Sequence, residues 1–154
     1  MHNGVALLLQ KKPIDIDVTL LPDMDDCRYL EARMDTGIVY ITVYVYQGQK
    51  IGSAKFIYKL RFLAALLTRL QDLLSQNLHV VLLGDLNLTP TDQDTFNPNS
   101  KEWLTGCMNT PEERGWFQSV LTLGYQDAFR VLHPDVRRYT WWRSFKQNWS
   151  FLKG

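Results

Sequence analysis

A strand, a long amphipathic helix and a second strand follow one another in the middle of the chain, and this order restricts the fold more than any other feature. Residues Gly37 to Tyr46 predict a strand because nearly all of them are β-branched or aromatic. Apolar residues then recur at three- and four-residue intervals, which predicts an amphipathic helix from about Ala54 to Ser75. The apolar run His79 to Leu83 predicts a buried strand, with His79 as a hydrogen-bonded core histidine. Two strands joined through a helix are expected to lie parallel, in an α/β fold.

Two further strand and helix signals flank this unit. Gly4 to Leu9 predicts a short buried strand, and its continuous apolarity indicates that both of its faces are covered. Thr89 to Thr110 is polar and interrupted by prolines, which is typical of a long functional loop. Thr110 then precedes a proline and stands three residues before Glu113, a capping-box pattern that predicts a helix ending at Gly124.

The composition indicates a globular protein with one domain. The chain has 154 residues, of which 45% are hydrophobic and 21% charged. No apolar stretch approaches the roughly 20 residues of a membrane-spanning helix, and the start has no signal-peptide pattern. We therefore expect a cytoplasmic protein with no membrane partner. Cys27 and Cys107 match no paired metal-ligand spacing and are predicted to be free thiols.

A carboxylate and a carboxamide follow directly on the second predicted strand, in the segment Gly84-Asp85-Leu86-Asn87. Residues i and i+2 of an extended chain share a face. Asp85 and Asn87 are therefore placed to hold one small polar target, such as an activated water, a hydrated metal ion or a phosphate oxygen, at the carboxyl end of a sheet. The alternative is an Asx-type turn that merely ends the strand.

Cations and aromatic residues alternate towards the end of the chain. The net charge of +1 gives no overall signal for a polyanionic partner, but the segment after Arg130 is basic and rich in tryptophan. Cations interleaved with aromatic rings suit a nucleic-acid backbone with bases or sugars stacked on flat side chains. The alternatives are a solvated basic face and tryptophans packed in a core.

Several segments together resemble the exonuclease III branch of the endonuclease/exonuclease/phosphatase family, whose members are DNA-repair nucleases that cut at abasic sites. Their shared order and spacing extend over nearly the whole chain as far as Arg143. The matching segments are His2-Asn3-Gly4-Val5-Ala6-Leu7-Leu8, Val43-Tyr44-Val45-Tyr46-Gln47-Gly48, Gly84-Asp85-Leu86-Asn87-Leu88-Thr89-Pro90-Thr91-Asp92, Glu112-Glu113-Arg114, Gly124-Tyr125-Gln126-Asp127-Ala128-Phe129-Arg130 and Tyr139-Thr140-Trp141-Trp142.

The resemblance implies an incomplete four-layered α/β sandwich, with residues 1–154 as a single partial domain that lacks the family's N-terminal and C-terminal strands. The whole protein would be a magnesium-dependent abasic-site endonuclease and 3′-to-5′ exonuclease on double-stranded DNA. The family's Leu-Gln-Glu segment, whose glutamate binds magnesium, and its Ser-Asp-His segment do not occur in this sequence. We therefore expect little or no activity from this chain alone. Uncovered strands would favour a complementary fragment as partner, or aberrant self-association.

The resemblance also implies roles for individual residues. Asp85 matches the position that activates the attacking water. Asn87 would orient that water or a phosphate oxygen and would join Asp85 around a second or product-stage Mg²⁺, with Mn²⁺ as the alternative ion. Tyr44 matches the active-site tyrosine that donates to a phosphate oxygen or assists the leaving group. The alternative for Tyr44 is an ordinary strand aromatic in the core.

Further positions are implied to contact DNA. Trp141 and Trp142 would meet the duplex near a flipped-out abasic sugar, and a pocket closed on a sugar without a base would exclude normal nucleotides by volume. Arg130 and Arg138 would contact backbone phosphates, and Lys59 is a further basic candidate.

Two other functions are compatible with the sequence. One is a related phosphoesterase that acts on inositol phosphates or lipid headgroups. The other is a non-catalytic remnant that binds DNA through its basic aromatic end.

Overall fold

A four-stranded mixed sheet with helices forms the centre of the computed structural model, which describes residues 4–21, 23 and 27–140. The strands lie in the order β1-β2-β3-β4; the first three are antiparallel neighbours, and β3 and β4 are parallel. The α/β fold is therefore as predicted. The elements are β1 (Asp15–Asp17), β2 (Tyr29–Arg33), β3 (Ile38–Tyr44), α1 (Ala54–Ser75), β4 (His79–Asp85), α2 (Lys101–Leu104), α3 (Pro111–Thr122) and α4 (Ala128–Leu132).

Helix α1 is the crossover between β3 and β4, and its bounds are those the apolar periodicity predicts. It begins where the Ser53 side chain accepts a hydrogen bond from the Phe56 N–H at 3.2 Å, which satisfies one of the amide donors left over at a helix start. Its apolar stripe packs on one face of the sheet. The core consists of Tyr29, Val39, Ile41, Val43, Val45, Phe62, Leu63, Leu66, Leu70, Leu73, Leu78, Trp116 and Val120.

Helix α3 confirms the predicted capping box. The Thr110 hydroxyl oxygen accepts from the Glu113 N–H at 3.3 Å, and Glu113 Oε2 accepts from the Thr110 N–H at 2.9 Å. The helix ends before Gly124, which has a φ of 104°, a left-handed conformation that glycine adopts at little cost. The predicted loop before it contains a short 3-10 turn at Asp92–Asp94 and the single turn of α2.

The segment Gly4 to Leu9 does not form the predicted buried strand. The Val5 N–H donates to the Cys27 carbonyl at 3.1 Å, but no residue of the segment pairs into the four-stranded sheet. Leu8 is 96% exposed. The apolar run alone could not distinguish a paired strand from an extended segment lying beside a sheet.

Strand β4 is covered on one face only, so the expectation of a fully buried strand is wrong. Val80 and Leu82 pack against the core, whereas Val81 and Leu83, on the opposite face, are 39% and 45% exposed. His79 is exposed as well, so it is not the core histidine that its apolar neighbours predicted. In the described part of the chain β4 is an end strand of the sheet, and the face that carries Val81 and Leu83 is partly open to solvent.

Cys27 is exposed and Cys107 is buried, and no disulfide joins them, as predicted. Among the helices of the described ranges, none combines the length and the apolar content that crossing a membrane requires.

Candidate active site

Tyr44 and Asp85 lie side by side at the carboxyl ends of the two parallel strands. They are register partners in the β3–β4 pairing. A further backbone hydrogen bond joins the two segments here, since the Val45 N–H donates to the Asp85 carbonyl at 2.8 Å. The Asp85 side chain is exposed and that of Tyr44 is partly buried. The parallel crossover thus brings together two of the three predicted catalytic residues.

The third, Asn87, is held in a fixed turn beside them. Its N–H donates to Asp85 Oδ1 at 2.8 Å, and its side-chain Nδ2 donates to the Val45 carbonyl at 2.7 Å. Its φ of 48° lies in the left-handed region, where asparagine is tolerated better than most residues. The Asx turn considered as an alternative is therefore present. The turn uses Oδ1 of Asp85, and Oδ2 takes part in neither of these two hydrogen bonds.

Two buried cations support the site, and no pattern in the sequence indicated either role. The Arg28 side chain is buried; Nη1 donates to the Tyr44 carbonyl at 3.0 Å, and the guanidinium lies 4.6 Å from the Tyr44 ring centroid and 3.8 Å from that of Tyr46. Such stacking is favourable because the ring face is negative. Lys59 is wholly buried and donates to the Asn87 carbonyl at 2.6 Å, so it does not belong to a surface that DNA could reach.

Two side-chain oxygens at this site could bind a cation: Oδ2 of Asp85 and Oδ1 of Asn87. Mg²⁺ prefers oxygen ligands, commonly takes one or two carboxylates from the protein and keeps several waters. Within residues 4–21, 23 and 27–140, no three or more His, Cys, Asp or Glu side chains come together in a way that could hold a metal ion. The residues present therefore fit a hydrated divalent ion, and they do not form a complete protein cage.

A model of the endonuclease/exonuclease/phosphatase family matches residues 1–152. The chain belongs to this family. It is 34% identical over 151 residues to exodeoxyribonuclease III of Haemophilus influenzae, an alignment that covers 91% of this chain and 57% of that protein.

Two solved structures have the same fold. A 3′ phosphatase from Neisseria, NExo, bound to a product DNA hairpin, superposes with a TM-score of 0.78 at 33% identity, covering 91% of this chain and 54% of that one. An AP endonuclease from Archaeoglobus fulgidus gives a TM-score of 0.79 at 30% identity and the same coverage. The chain spans about half the length of the relatives it matches.

Of the four residues that the family resemblance implies contact DNA, the structure describes Arg130 and Arg138. Arg138 is exposed, as a phosphate contact requires. Trp141 and Trp142 lie outside the described residues, and their contact with DNA stays a prediction.

Arg130 has an intramolecular role that the family pattern did not indicate. Its Nη2 donates to Asp94 Oδ1 at 2.6 Å, and its Nη1 donates to the carbonyls of His133, Pro134 and Val136 at 3.4, 3.2 and 3.0 Å. These bonds join the loop after β4 to the segment after α4. Phosphate binding by Arg130 would compete with them.

We expect Arg130→Met to lower the free energy of unfolding by about 1–2 kcal/mol, because it leaves the half-buried Asp94 carboxylate without its guanidinium partner. Urea denaturation followed by tryptophan fluorescence measures this. Arg138→Met is the matched control, since Arg138 is exposed and its loss should change stability by less than about 0.5 kcal/mol. Equal effects of the two variants would contradict the structural role of Arg130.

Proposed function

We propose that this chain carries the phosphodiester-cleaving residues of a magnesium-dependent DNA-repair nuclease that acts on double-stranded DNA at abasic sites and from 3′ ends. The observation that carries the proposal is the pairing of Tyr44 with Asp85 at one edge of the sheet, with Asn87 fixed beside them. The names of the relatives support the nuclease class. We treat residues 1–154 as one partial domain of that family, and the cytoplasmic location stays a prediction.

Hydrolysis of a phosphodiester requires a water that loses its proton as it attacks, and compensation for the charge that builds on the phosphoryl oxygens. Asp85 Oδ1 is occupied by the Asn87 N–H, so Oδ2 is the atom we assign to accept the proton. Asn87 Oδ1 would orient the same water, since Nδ2 already donates to Val45. The Tyr44 hydroxyl would donate to a phosphate oxygen.

By the same resemblance, Asp85 and Asn87 are the residues that would hold a second or product-stage Mg²⁺, so that the attacking water and the ion would use Asp85 Oδ2 at different stages. When bound, the ion would neutralise negative charge on the phosphate.

The position of Asp85 relative to bound phosphate is testable without turnover. A unit negative charge about 4 Å from a phosphate costs about 1 kcal/mol in water, which is about fivefold in affinity. In EDTA, Asp85→Asn should therefore bind a fluorescein-labelled duplex with one abasic analogue about fivefold more tightly than the unmodified chain, as measured by fluorescence anisotropy.

Asp35→Asn is the matched control, because it removes the same charge from the turn before β3, at the other end of the strand from Tyr44. The intervening length exceeds the Debye length of about 10 Å at 0.1 M salt, so Asp35→Asn should leave the affinity unchanged. Equal tightening by both variants would contradict the proposal. Displacement of the duplex by micromolar inositol phosphates would favour the phosphoesterase instead.

Cleavage of the same duplex with excess protein and Mg²⁺ tests the catalytic assignment. We expect little or no cleavage, because neither the Leu-Gln-Glu nor the Ser-Asp-His segment is present in the sequence. Any cleavage above background should fall at least about 100-fold in Asp85→Ala. Robust cleavage that Asp85→Ala abolishes would overturn the expected inactivity and would assign the chemistry to Asp85.

A further inference from the structure

A wholly buried lysine joins the two loops that follow the strands ending in Tyr44 and Asp85. Lys59 Nζ, on the first turns of α1, donates to the Asn87 carbonyl at 2.6 Å and to the Gln47 carbonyl at 3.3 Å. Gln47 lies in the loop that follows Tyr44, and Asn87 lies in the loop that follows Asp85. A single ammonium group therefore connects the chain just beyond both strands.

The third partner of this ammonium is Glu113, at the start of α3. Lys59 Nζ forms an ion pair with Glu113 Oε1, and both side chains are completely buried. Glu113 Oε2 accepts from the backbone N–H groups of Met108 and Thr110 at 2.7 and 2.9 Å. The carboxylate is thus fixed by the backbone at the helix start, and it in turn fixes the position of the ammonium.

A buried ion pair is a poor device for stability alone. Removing two charges from water costs free energy that their attraction often fails to recover, and apolar residues of similar volume are frequently as stable. An ammonium has three donors, however, and can satisfy acceptors from three separate segments at once. An apolar side chain cannot hold a carbonyl in place, so the pair is suited to defining geometry.

We propose that Lys59 is a positioning residue for the phosphodiester chemistry, and that it acts by holding Asn87 in its left-handed conformation. The ammonium binds the Asn87 carbonyl, and this contact orients the residue so that Nδ2 meets Val45 and the N–H meets Asp85. Glu113 holds the ammonium in place through the buried ion pair. The inference rests on the proposed function of Asn87, because the contact has catalytic meaning only if Asn87 serves the phosphate or its water.

Nuclear magnetic resonance of the ¹⁵N-labelled full chain tests this contact without turnover. In Lys59→Met, the Asn87 N–H should exchange with solvent at least about tenfold faster, and the two carboxamide protons of Asn87 should move towards the shifts of an exposed asparagine. Amides in the middle of β3, such as that of Ile41, should keep their protection. Lys55→Met is the control, because Lys55 is exposed and lies one turn earlier on the same helix.

A second comparison separates positioning from stability. The double variant Lys59→Met/Glu113→Gln has no unpaired buried charge, so its melting temperature should rise above that of Lys59→Met. The Asn87 resonances should nevertheless stay displaced, because methionine donates no hydrogen bond to the Asn87 carbonyl. If Lys59→Met does not fold, the double variant carries the comparison.

Unchanged Asn87 exchange and shifts in Lys59→Met, or their restoration in the double variant, would overturn the proposal. The same holds if the amides of β3 lose protection in proportion, since a general loss of stability would then explain the effect. These outcomes are distinct from failure of the proposed function, which would appear as an unchanged DNA affinity in Asp85→Asn while the Asn87 signals still depend on Lys59.

Discussion

Gly84→Ala is expected to lower the free energy of unfolding by at least about 4 kcal/mol, enough to prevent folding of a protein of ordinary stability. A Cβ atom on Gly84 would lie 2.0 Å from the Val43 carbonyl oxygen and 2.8 Å from the Val43 nitrogen. Both atoms belong to the backbone of β3, so the clash cannot be relieved by a side-chain rotation. The φ of 114° adds strain, because residues with a Cβ rarely adopt it.

The matched control is Gly115→Ala on α3, where an added Cβ meets no atom within 4 Å. Alanine in a helix interior is favoured over glycine by roughly 0.5–1 kcal/mol, so this variant should be slightly more stable than the parent. Urea denaturation of both variants measures the difference. A Gly84→Ala protein within about 1 kcal/mol of the parent would show that β3 and β4 do not approach as closely as the register requires.

Glu113→Ala is expected to lower the free energy of unfolding by about 3–5 kcal/mol. The change leaves the Lys59 ammonium buried without its carboxylate, and it removes the acceptor of the Met108 and Thr110 N–H groups. The Lys59 ammonium and the Thr110 N–H then lose a partner in a buried place, and the Met108 N–H loses one in a partly buried place. Unpaired groups in such places are costly. Thermal and urea denaturation, monitored by circular dichroism, provide the measurement.

Glu112→Ala is the control for this prediction. Glu112 is exposed and sits in the same first turn of α3, so its loss removes a similar interaction with the helix dipole and no buried pair. We expect it to cost less than about 1 kcal/mol. If Glu113→Ala and Glu112→Ala lower the free energy of unfolding equally, the buried ion pair contributes no more to stability than the exposed carboxylate of Glu112 does.

Local patterns predicted the elements whose residues satisfy one another within a short stretch of chain. Helix α1 has the bounds that its apolar periodicity predicts. The capping box of Thr110 and Glu113 is present at the start of α3, as predicted. The parallel pairing of β3 with β4 followed from the crossover rule, but the register that places Tyr44 beside Asp85 came only from the structure.

What the sequence did not reveal depends on partners that are far apart in the chain. Glu113 was identified from its neighbour Thr110, but its contact with Lys59 spans 54 residues and leaves no local pattern. Arg28 meets the Tyr44 ring only through the register of β2 and β3. The predicted burial of His79 and Leu8 was wrong, because apolar neighbours in the sequence indicate burial only where another element covers them.

The long crossover between the two parallel strands also affects how the protein folds. Tyr44 and Asp85 are adjacent in the sheet but are separated in the chain by all of α1. Closing so long a loop costs chain entropy before any hydrogen bond between β3 and β4 can form. Non-local parallel pairing is therefore intrinsically slow. Helix α1 can gain structure early from local contacts, whereas the side chains of Tyr44 and Asp85, proposed to be catalytic, become neighbours only when β4 docks. We therefore expect the proposed site to form late in refolding.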